Sequence, residues 1–232
     1  IKLYINFSIE GGKMKYKNME ISDRVVQRLT EYLSILKEVR KYEENINSIE
    51  LAKIMNTTSA QVRKDLSTFG EFGVRGKGYG IDKLIEIIED ILGINRVTNV
   101  IIIGHGKMGE MLTTNNTVLG KGFKIVGVFD RDNKKIGKKV GGNLSLQIEN
   151  VSQIKDFIEN YPEKIETAIL SVIKEQAQIV AEILVSNGIK AILNMTTYKL
   201  ELSEKTAVVN IDISAKLQEL NFWRLNLNSK EE

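Results

Sequence analysis

Apolar residues recur at helical spacing in the first quarter of the chain. Intervals of three and four residues predict an amphipathic helix over residues 21–39, with Ser22 as its N-cap and with the stripe Ile21, Val25, Leu29, Leu33 and Leu36. A shorter apolar pattern predicts a second helix from Ser48 to Met55, in which Ser48 has no capping-box partner three residues on. The polar run NTTS is expected to end this helix.

A third helix is predicted by a capping box, because Thr58 is followed three residues later by Gln61. Its apolar stripe is Val62, Leu66 and Phe69. Glycines then stand at 70, 73, 76, 78 and 80, a pattern typical of a hairpin, here with the basic tip Arg75-Gly76-Lys77. Three helices and such a hairpin predict a winged helix-turn-helix domain, assigned to residues 14–81, after an N-terminal extension of unknown origin at 1–13.

The pattern changes after a linking helix, assigned to residues 82–93 and ended by Gly93. Apolar runs then alternate with helical patterns at 106–119, 151–160 and 174–187; the runs are VTNVIIIG, GFKIVGVFD, NLSLQ, TAILSV, AILN and VVNID. This alternation predicts an α/β fold, a Rossmann domain with a doubly wound parallel sheet, over residues 94–212. The segment 213–232 carries more apolar side chains than a free tail should expose, so we expect it to pack on a partner subunit or on the other domain.

Composition narrows the chemistry. The chain has no cysteine and one histidine, which leaves no basis for a disulfide framework, a thiolate nucleophile or a Cys/His metal cluster, and we expect no metal. No apolar run reaches the roughly 18 residues of a membrane span, so we expect a cytoplasmic protein that does not bind a membrane. The net charge of +3 permits binding to a polyanion without requiring it.

The stretch GHGKMGE contains G-x-G-x-x-G directly after a predicted strand and at the start of a predicted helix. In that context the motif predicts a dinucleotide-binding loop. Gly104 permits the tight turn, Gly106 lets the backbone approach the pyrophosphate, and Gly109 lets helix and strand pack closely. The alternative is that these glycines only pack the helix on the strand.

The second strand of this domain ends in Asp130. A carboxylate at that place accepts hydrogen bonds from the adenine ribose hydroxyls and repels a 2′-phosphate, which favours NAD(H) over NADP(H). Arg131 is an argument for the opposite choice, because an arginine beside the strand end can bind a 2′-phosphate. With the acidic residue present, we predict NAD(H).

No residue is placed for acid–base chemistry beside a nicotinamide. The only histidine, His105, lies inside the glycine turn, where we expect it to face phosphate rather than a substrate. The protein is therefore predicted not to be an enzyme.

The third helix carries hydrogen-bonding side chains suited to a DNA groove. In a winged helix the second helix of the helix-turn-helix unit enters the major groove, and here it presents Gln61, Arg63, Lys64 and Ser67. A solvated helix face would show the same residues. The hairpin favours DNA, because a slim basic tip with Arg75 and Lys77 suits a minor groove.

The motifs QVRKDLS, FGEFG, RGKGY, the G-x-G-x-x-G loop, GFKIVGVFD, GIKAILN and VVNID together resemble the Rex family of redox-sensing transcriptional repressors. The resemblance runs from about residue 22 to residue 227. It implies a homodimer with a C-terminal domain-swapped helix. It also implies a repressor that binds palindromic operator DNA with NAD⁺ or no cofactor and is released by NADH.

The resemblance also implies site residues, position by position. The DNA contacts would come from the recognition helix and the wing: Ser59, Gln61, Arg63, Lys64, Ser67, Arg75 and Lys77. The cofactor contacts would come from Gly104, His105, Gly106, Lys107, Met108, Gly109, Asp130, Arg131, Lys135, Ser171, Val172, Asn194, Met195, Thr196 and Asp212.

Some sensor positions depart from the family pattern. The family tyrosine after the glycine loop is Asn115 here, the arginine of the first helix is Ser34, and the phenylalanine after the N-V-D aspartate is Ile213. The aspartate itself is retained as Asp212, and the family Ala-Pro after the I-L-N strand is Thr-Thr.

Three functions remain as hypotheses. The leading one is the NADH-responsive repressor. The second is a DNA-binding regulator of the same fold whose Rossmann domain no longer discriminates NADH from NAD⁺. The third is an oxidoreductase that uses its winged helix for protein contacts.

Overall fold

The computed structural model describes residues 3–10, 13–70, 72–73 and 78–227. Two compact units divide the chain, Ile1–Asn95 and Arg96–Glu232. The first unit consists, in chain order, of β1 (Leu3–Glu10), β2 (Lys13–Ile21), α1 (Asp23–Val39), β3 (Asn45–Ile46), α2 (Ser48–Ile54), α3 (Ser59–Ser67), β4 (Tyr79–Gly80) and α4 (Ile81–Ile91). The antiparallel pair β1–β2 was not predicted, and all of β1 falls in the segment 1–13, which was treated as an extension.

The core of the first unit is built by the four helices. Each contributes the apolar side chains that its periodicity predicts, such as Leu29 of α1, Leu66 of α3 and Leu84 of α4, all at most 2% exposed. The predicted linking helix, α4, packs against α1 and is part of this core. The short strands β3 and β4 pair antiparallel and join the hairpin segment to the helices. The wing tip, with Arg75 and Lys77, lies outside the described residues.

Two predicted helix caps need correction. The N-cap of α2 is Asn47 rather than Ser48, since its side chain accepts hydrogen bonds from the backbone N–H groups of Ile49 and Glu50, and the Glu50 carboxylate accepts one from the Asn47 N–H. Asparagine followed three residues later by glutamate completes the capping box that Ser48 could not form. In α3 the Thr58 hydroxyl oxygen caps the helix as predicted, but the Gln61 side chain does not return to it.

The second unit is a six-stranded parallel sheet with the order β10-β9-β8-β5-β6-β7. Its strands are β5 (Thr98–Ile103), β6 (Phe123–Asp130), β7 (Ile148–Asn150), β8 (Ile165–Leu170), β9 (Ala191–Asn194) and β10 (Ala207–Asn210). The chain runs outward from β5 to β7, returns to the centre, and runs outward again from β8 to β10. This order is that of a doubly wound Rossmann sheet, whose ligand crevice lies between β5 and β8.

Helices cover both faces of this sheet: α5 (Lys107–Thr114), α6 (Ile154–Asn160) and α7 (Lys174–Ser186). Buried residues of α6 and α7 pack on one face, for example Ile154 and Ala181. Leu112 of α5 packs on the other. Two apolar layers therefore enclose the central strands, which explains why those strands read as continuous apolar runs.

Two predictions for this unit are wrong in detail. Residues 143–146 of the predicted strand NLSLQ form no strand; the third strand is β7, and Leu144 and Leu146 instead pack against the core from a loop. The predicted helix 106–119 ends at Thr114 and is followed by a separate 3-10 turn, Asn116–Leu119. The sequence TTNN at this point consists of weak helix formers, which accounts for the break.

The last helix, α8 (Ile213–Asn226), has no buried residue. The large apolar side chains from its start to the residue after its end are each 58–69% exposed: Ile213, Leu217, Leu220, Phe222, Trp223, Leu225 and Leu227. A helix that exposes this much apolar surface needs a covering surface.

Candidate functional site

The turn between β5 and α5 and the start of α5 contain two glycines, Gly104 and Gly109, at which a side chain would overlap backbone atoms. Gly104 has a φ of +95°, and a Cβ on it would lie 2.5 Å from the carbonyl oxygen of Ser171 at the end of β8. A Cβ on Gly109 would lie 2.2 Å from the carbonyl oxygen of Gly104. The Ser171 hydroxyl donates to that same carbonyl at 2.6 Å. The turn is therefore pressed against the central strands by contacts inside the protein.

Gly106 differs from these two glycines. A Cβ on it would meet nothing within 4 Å, and its backbone, with φ −79° and ψ −166°, suits any residue. The protein itself therefore does not require a glycine here. Gly106 lies directly before α5, so the open space adjoins the backbone N–H groups of a helix N-terminus, which favour an anion. The space that a side chain would fill is available to a ligand.

A cavity of about 520 Å³ opens at the carboxyl ends of β5, β6 and β8, a volume typical of small-molecule sites. Seven of the predicted residues line it: Gly104, Gly106, Asp130, Arg131, Lys135, Ser171 and Val172. Five lining residues were not predicted: Asp132, Val151, Ile173, Gln176 and Val180. Val151 and Ile173 could have been predicted, because each lies just beyond the end of a strand. No sequence motif marks Gln176 and Val180, which lie on α7.

Asp130 is 6% exposed and accepts three hydrogen bonds. Its Oδ2 accepts from the backbone N–H of His105 and from Lys135 Nζ, both at 2.8 Å, and its Oδ1 accepts from the backbone N–H of Asp132 at 2.9 Å. Burial raises the pKa of Asp130, but these three donors outweigh it and hold its pKa below the ordinary value. The carboxylate is thus ionised and joins β6 to the glycine turn.

We predicted that His105 faces phosphate, but its ring is bound to a side chain of α5. Its Nε2 lies 3.0 Å from the hydroxyl oxygen of Thr113 on α5, and that hydroxyl donates to the carbonyl of Glu110. Because the hydroxyl proton is used there, His105 Nε2 carries a hydrogen and donates it to Thr113. Burial is the main reason why the pKa of His105 lies below its ordinary value, so the ring is neutral at pH 7.

Other predicted cofactor residues lie elsewhere. Lys107 and Met108 occupy the first turn of α5. Asn194 is fully buried: its Nδ2 donates to the Tyr198 carbonyl and to Asn210 Oδ1, and its Oδ1 accepts from the N–H and hydroxyl of Thr196. Of the predicted set, the residues Asn194, Met195, Thr196 and Asp212 are not among those that line the cavity.

The recognition helix predicted from the sequence is α3. Ser59 is half-buried, whereas Arg63, Lys64 and Ser67 are exposed. Arg63 Nη1 donates to the Ser48 hydroxyl of α2 at 3.0 Å, which joins the two helices of the helix-turn-helix unit. The Ser67 hydroxyl donates to a carbonyl of its own helix.

A buried charge cluster, not predicted from the sequence, attaches α3 to α1. Asp65 is 1% exposed and accepts hydrogen bonds from four groups: Arg28 Nε at 2.5 Å, Arg28 Nη2 at 2.7 Å, the Tyr32 hydroxyl at 2.9 Å and Gln61 Nε2 at 2.7 Å. Burial raises the pKa of Asp65, but Arg28, Tyr32 and Gln61 outweigh burial and the net shift is downward. The four donors match the roughly four lone-pair sites of a carboxylate.

Among the described residues, no three His, Asp or Glu side chains are grouped so that they could hold a metal ion. No helix in the described part of the chain has an apolar stretch that would cross a bilayer.

A helix-turn-helix unit followed in the same chain by a Rossmann unit with an open cavity at its switch point defines a DNA-binding regulator controlled by a nucleotide. Residues 20–67 match the family model described as putative DNA-binding protein N-terminus, and residues 95–198 match the CoA binding domain. The redox-sensing transcriptional repressor Rex 1 of Thermotoga maritima is 37% identical over 211 residues, 90% of this chain and 99% of the relative. Rex of Thermus thermophilus is 38% identical over 215 residues, 92% and 99% of the two chains.

Solved structures agree with these relatives. RSP, a Rex-family repressor, in complex with NAD⁺ and operator DNA has a TM-score of 0.82 at 33% identity, covering 92% of this chain and 95% of RSP. RSP with NADH has a TM-score of 0.79 at 32% identity, covering 91% and 99%. The chain belongs to the Rex family of redox-sensing transcriptional repressors. The family resemblance and the order of a DNA-binding domain before a Rossmann domain are confirmed, and the relatives are repressors rather than enzymes.

Asp65→Asn is expected to lower the free energy of unfolding by about 3 kcal/mol at pH 7, because Arg28 loses its buried partner. The folded-state pKa of Asp65 is depressed. Its stabilisation is therefore present above the unfolded-state pKa of about 4 and is lost as the pH falls through the folded-state pKa. Urea unfolding followed by circular dichroism at pH 7 and in acid measures the difference between wild type and variant.

A matched control for this prediction is Asp82→Asn. Asp82 is 84% exposed at its side chain and lies 3.5 Å from Arg40, also exposed. Such a pair is worth less than about 1 kcal/mol. Equal losses in the two variants at pH 7 would contradict the role of the buried cluster.

Gly106→Ala is expected to leave the melting temperature unchanged and to weaken NADH binding by about tenfold or more, about 1.4 kcal/mol. The new methyl meets no protein atom but fills the space through which a pyrophosphate would approach. Gly109→Ala should lower both stability and binding, because its methyl meets the Gly104 carbonyl. Thermal melts and NADH fluorescence titrations distinguish the two; undiminished binding by Gly106→Ala would argue against a pyrophosphate at this turn.

Proposed function

We propose that the protein is a transcriptional repressor that senses the NADH/NAD⁺ ratio. It binds a palindromic operator with NAD⁺ or without cofactor and leaves it when NADH binds. The observation that carries the proposal is the match over more than nine-tenths of the chain to RSP with NAD⁺ and operator DNA and to RSP with NADH. An open cavity at the switch point of the sheet supports it.

In this proposal the glycine turn binds the pyrophosphate at Gly106 and the N-terminus of α5. Asp130 accepts the adenine ribose hydroxyls. Three donors already occupy the carboxylate, which has about four lone-pair sites, so two ribose hydroxyls require Lys135 to give up or share Oδ2. Because a 2′-phosphate would stand against Asp130, the site prefers NAD(H) to NADP(H).

The nicotinamide end offers a basis for discrimination between the two redox forms. Val172 and Ile173, beyond the end of β8, give an apolar lining on the side of the sheet away from Asp130. NAD⁺ carries a positive charge on its nicotinamide ring and NADH does not. Burial of an unpaired charge is costly, so an apolar wall favours NADH. NADH shifts the protein away from the DNA-binding state only if it binds the other state better.

The proposal includes two further elements. Operator binding requires access to DNA, so the proposal includes a cytoplasmic location. The exposed apolar side chains of α8 are covered in a homodimer by the partner subunit, as the family resemblance implies. A two-fold dimer also matches the symmetry of a palindrome.

One observation supports a second candidate, a regulator that does not discriminate NADH from NAD⁺. The family tyrosine is replaced by Asn115, which ends α5 and accepts a hydrogen bond from the Thr117 hydroxyl instead of carrying a phenol. Equal affinities for NADH and NAD⁺ would favour this candidate, because a ligand with equal affinity for two states shifts neither.

NADH is expected to release the protein from operator DNA, and NAD⁺ is not. Fluorescence anisotropy of the labelled RSP operator, at one fixed salt concentration, measures this without cofactor, with NAD⁺ and with NADH. By reciprocity, operator DNA must lower the affinity for NADH by the same factor. Tight DNA binding in all three conditions would contradict the redox switch and favour the second candidate.

Leu220→Glu is expected to convert the dimer into a monomer with an unchanged protomer fold, because Leu220 is 63% exposed in the protomer and the proposal buries it at the interface. Sedimentation velocity measures the mass. Gln218→Glu adds the same charge to α8 and should leave the dimer intact. A dimer that survives Leu220→Glu would show that α8 is covered in another way.

A further inference from the structure

We propose that Gln61 reads an adenine in each operator half-site and that Asp65 is the positioning residue that sets the orientation of its amide. The inference rests on the proposed function, in which α3 is the recognition helix. It adds the base that one side chain selects and the interaction inside the protein that enforces the selection.

Gln61 stands at a place from which a base edge can be reached. It is the third residue of α3, and the N-terminal residues of a recognition helix are those that contact bases. Its side chain is only half-buried, and it is bound to Asp65, one turn further along the helix, through Nε2 and Oδ1 at 2.7 Å. The amide is therefore held at the groove-facing end of the helix rather than free to rotate.

The chemistry of Asp65 fixes which way this amide points. An ionised carboxylate only accepts hydrogen bonds, so the amide group of Gln61 must turn its NH₂ toward Asp65. A flipped amide would place Oε1 against a carboxylate oxygen. Asp65 cannot swing away, because Arg28 and Tyr32 of α1 bind its two oxygens. Orientation is thus determined by a chain of contacts from α1 through Asp65 to Gln61.

The groups that remain on Gln61 match adenine. Its Oε1 and its second amide hydrogen have no hydrogen-bond partner within the described part of the chain. One acceptor beside one donor complements the N6 amino group and N7 of adenine in the major groove. Guanine presents two acceptors, O6 and N7, and would set its O6 against Oε1. A free glutamine could rotate so that only its NH₂ meets O6 or N7 of guanine and Oε1 turns away, whereas this one cannot without losing Asp65.

The test uses the full chain and the RSP operator duplex. Each base pair of the half-site is replaced in turn, A·T by G·C and the reverse, and affinities are measured by anisotropy. In wild type, one A·T to G·C replacement is expected to weaken binding by about tenfold or more. In Gln61→Ala this dependence should vanish at that position and persist at all others. A second duplex carries 7-deazaadenine, which lacks N7, at that position. Wild type should bind it more weakly than the adenine duplex, whereas Gln61→Ala should bind both duplexes equally.

Asp65→Asn tests the positioning role. It lets the Gln61 amide turn either way, so discrimination between adenine and guanine should fall at that one position while the salt dependence of binding stays the same. Loss of fold would lower affinity for every duplex together, which this profile distinguishes. Lys64→Ala is the control on the same helix: loss of this exposed positive charge should lower affinity for all duplexes alike and reduce the salt slope by about one.

Several outcomes would overturn the inference. A wild type that does not distinguish the RSP operator from a scrambled duplex would overturn it together with the proposed function. Sequence-specific binding with the same replacement profile in wild type and Gln61→Ala would overturn the inference alone. The same holds if Gln61→Ala removes discrimination at a base other than adenine, or if Lys64→Ala removes it at the same position.

Discussion

A carboxylate can stay ionised inside a protein only if donors occupy its lone pairs, and this requirement organises both units of the chain. In the first unit, Asp65 collects Arg28, Tyr32 and Gln61 and so fastens α3 to α1. In the second, Asp130 collects Lys135 and two backbone N–H groups and fastens the glycine turn to β6. Burial of either carboxylate without these donors would be strongly unfavourable, whereas burial of the apolar residues around it is favourable. The geometry at both candidate sites follows from how that cost is offset.

Much of the fold could be predicted from periodicity. Long helices such as α1 can be predicted because burial of one stripe leaves apolar residues at helical spacing. The strands β5 and β6 can be predicted because burial on two faces leaves a continuous apolar run. The strand β7 could not be placed in the same way: it has three residues, and the apolar pair Leu144 and Leu146 before it packs from a loop. Whether so short a segment forms a strand depends on the strand it pairs with, here the end of β6. The local sequence does not contain that information.

The candidate sites were predictable where a motif requires a backbone shape. The glycine turn is such a case, because a side chain on Gly104 or Gly109 would overlap backbone atoms of the protein. Side chains that act through distant partners were not. The orientation of the His105 ring depends on its contact with Thr113. The burial of Asp65 depends on its partner Arg28, which is 37 residues away in the sequence. The one local sign of Asp65 was its position beside Leu66 on the buried side of α3, where a charge demands a partner.

The cavity beside the glycine turn combines a fixed backbone with a carboxylate that already has partners. Gly104 and Gly109 are held by backbone contacts of the protein itself, and Asp130 has its donors from its own chain. The backbone of the turn is therefore held in shape by contacts within the chain. The Asp130 carboxylate differs, because a ribose that binds there has to compete with Lys135 for Oδ2. Binding at this site is thus an exchange of one side-chain partner on a backbone whose shape the chain itself determines.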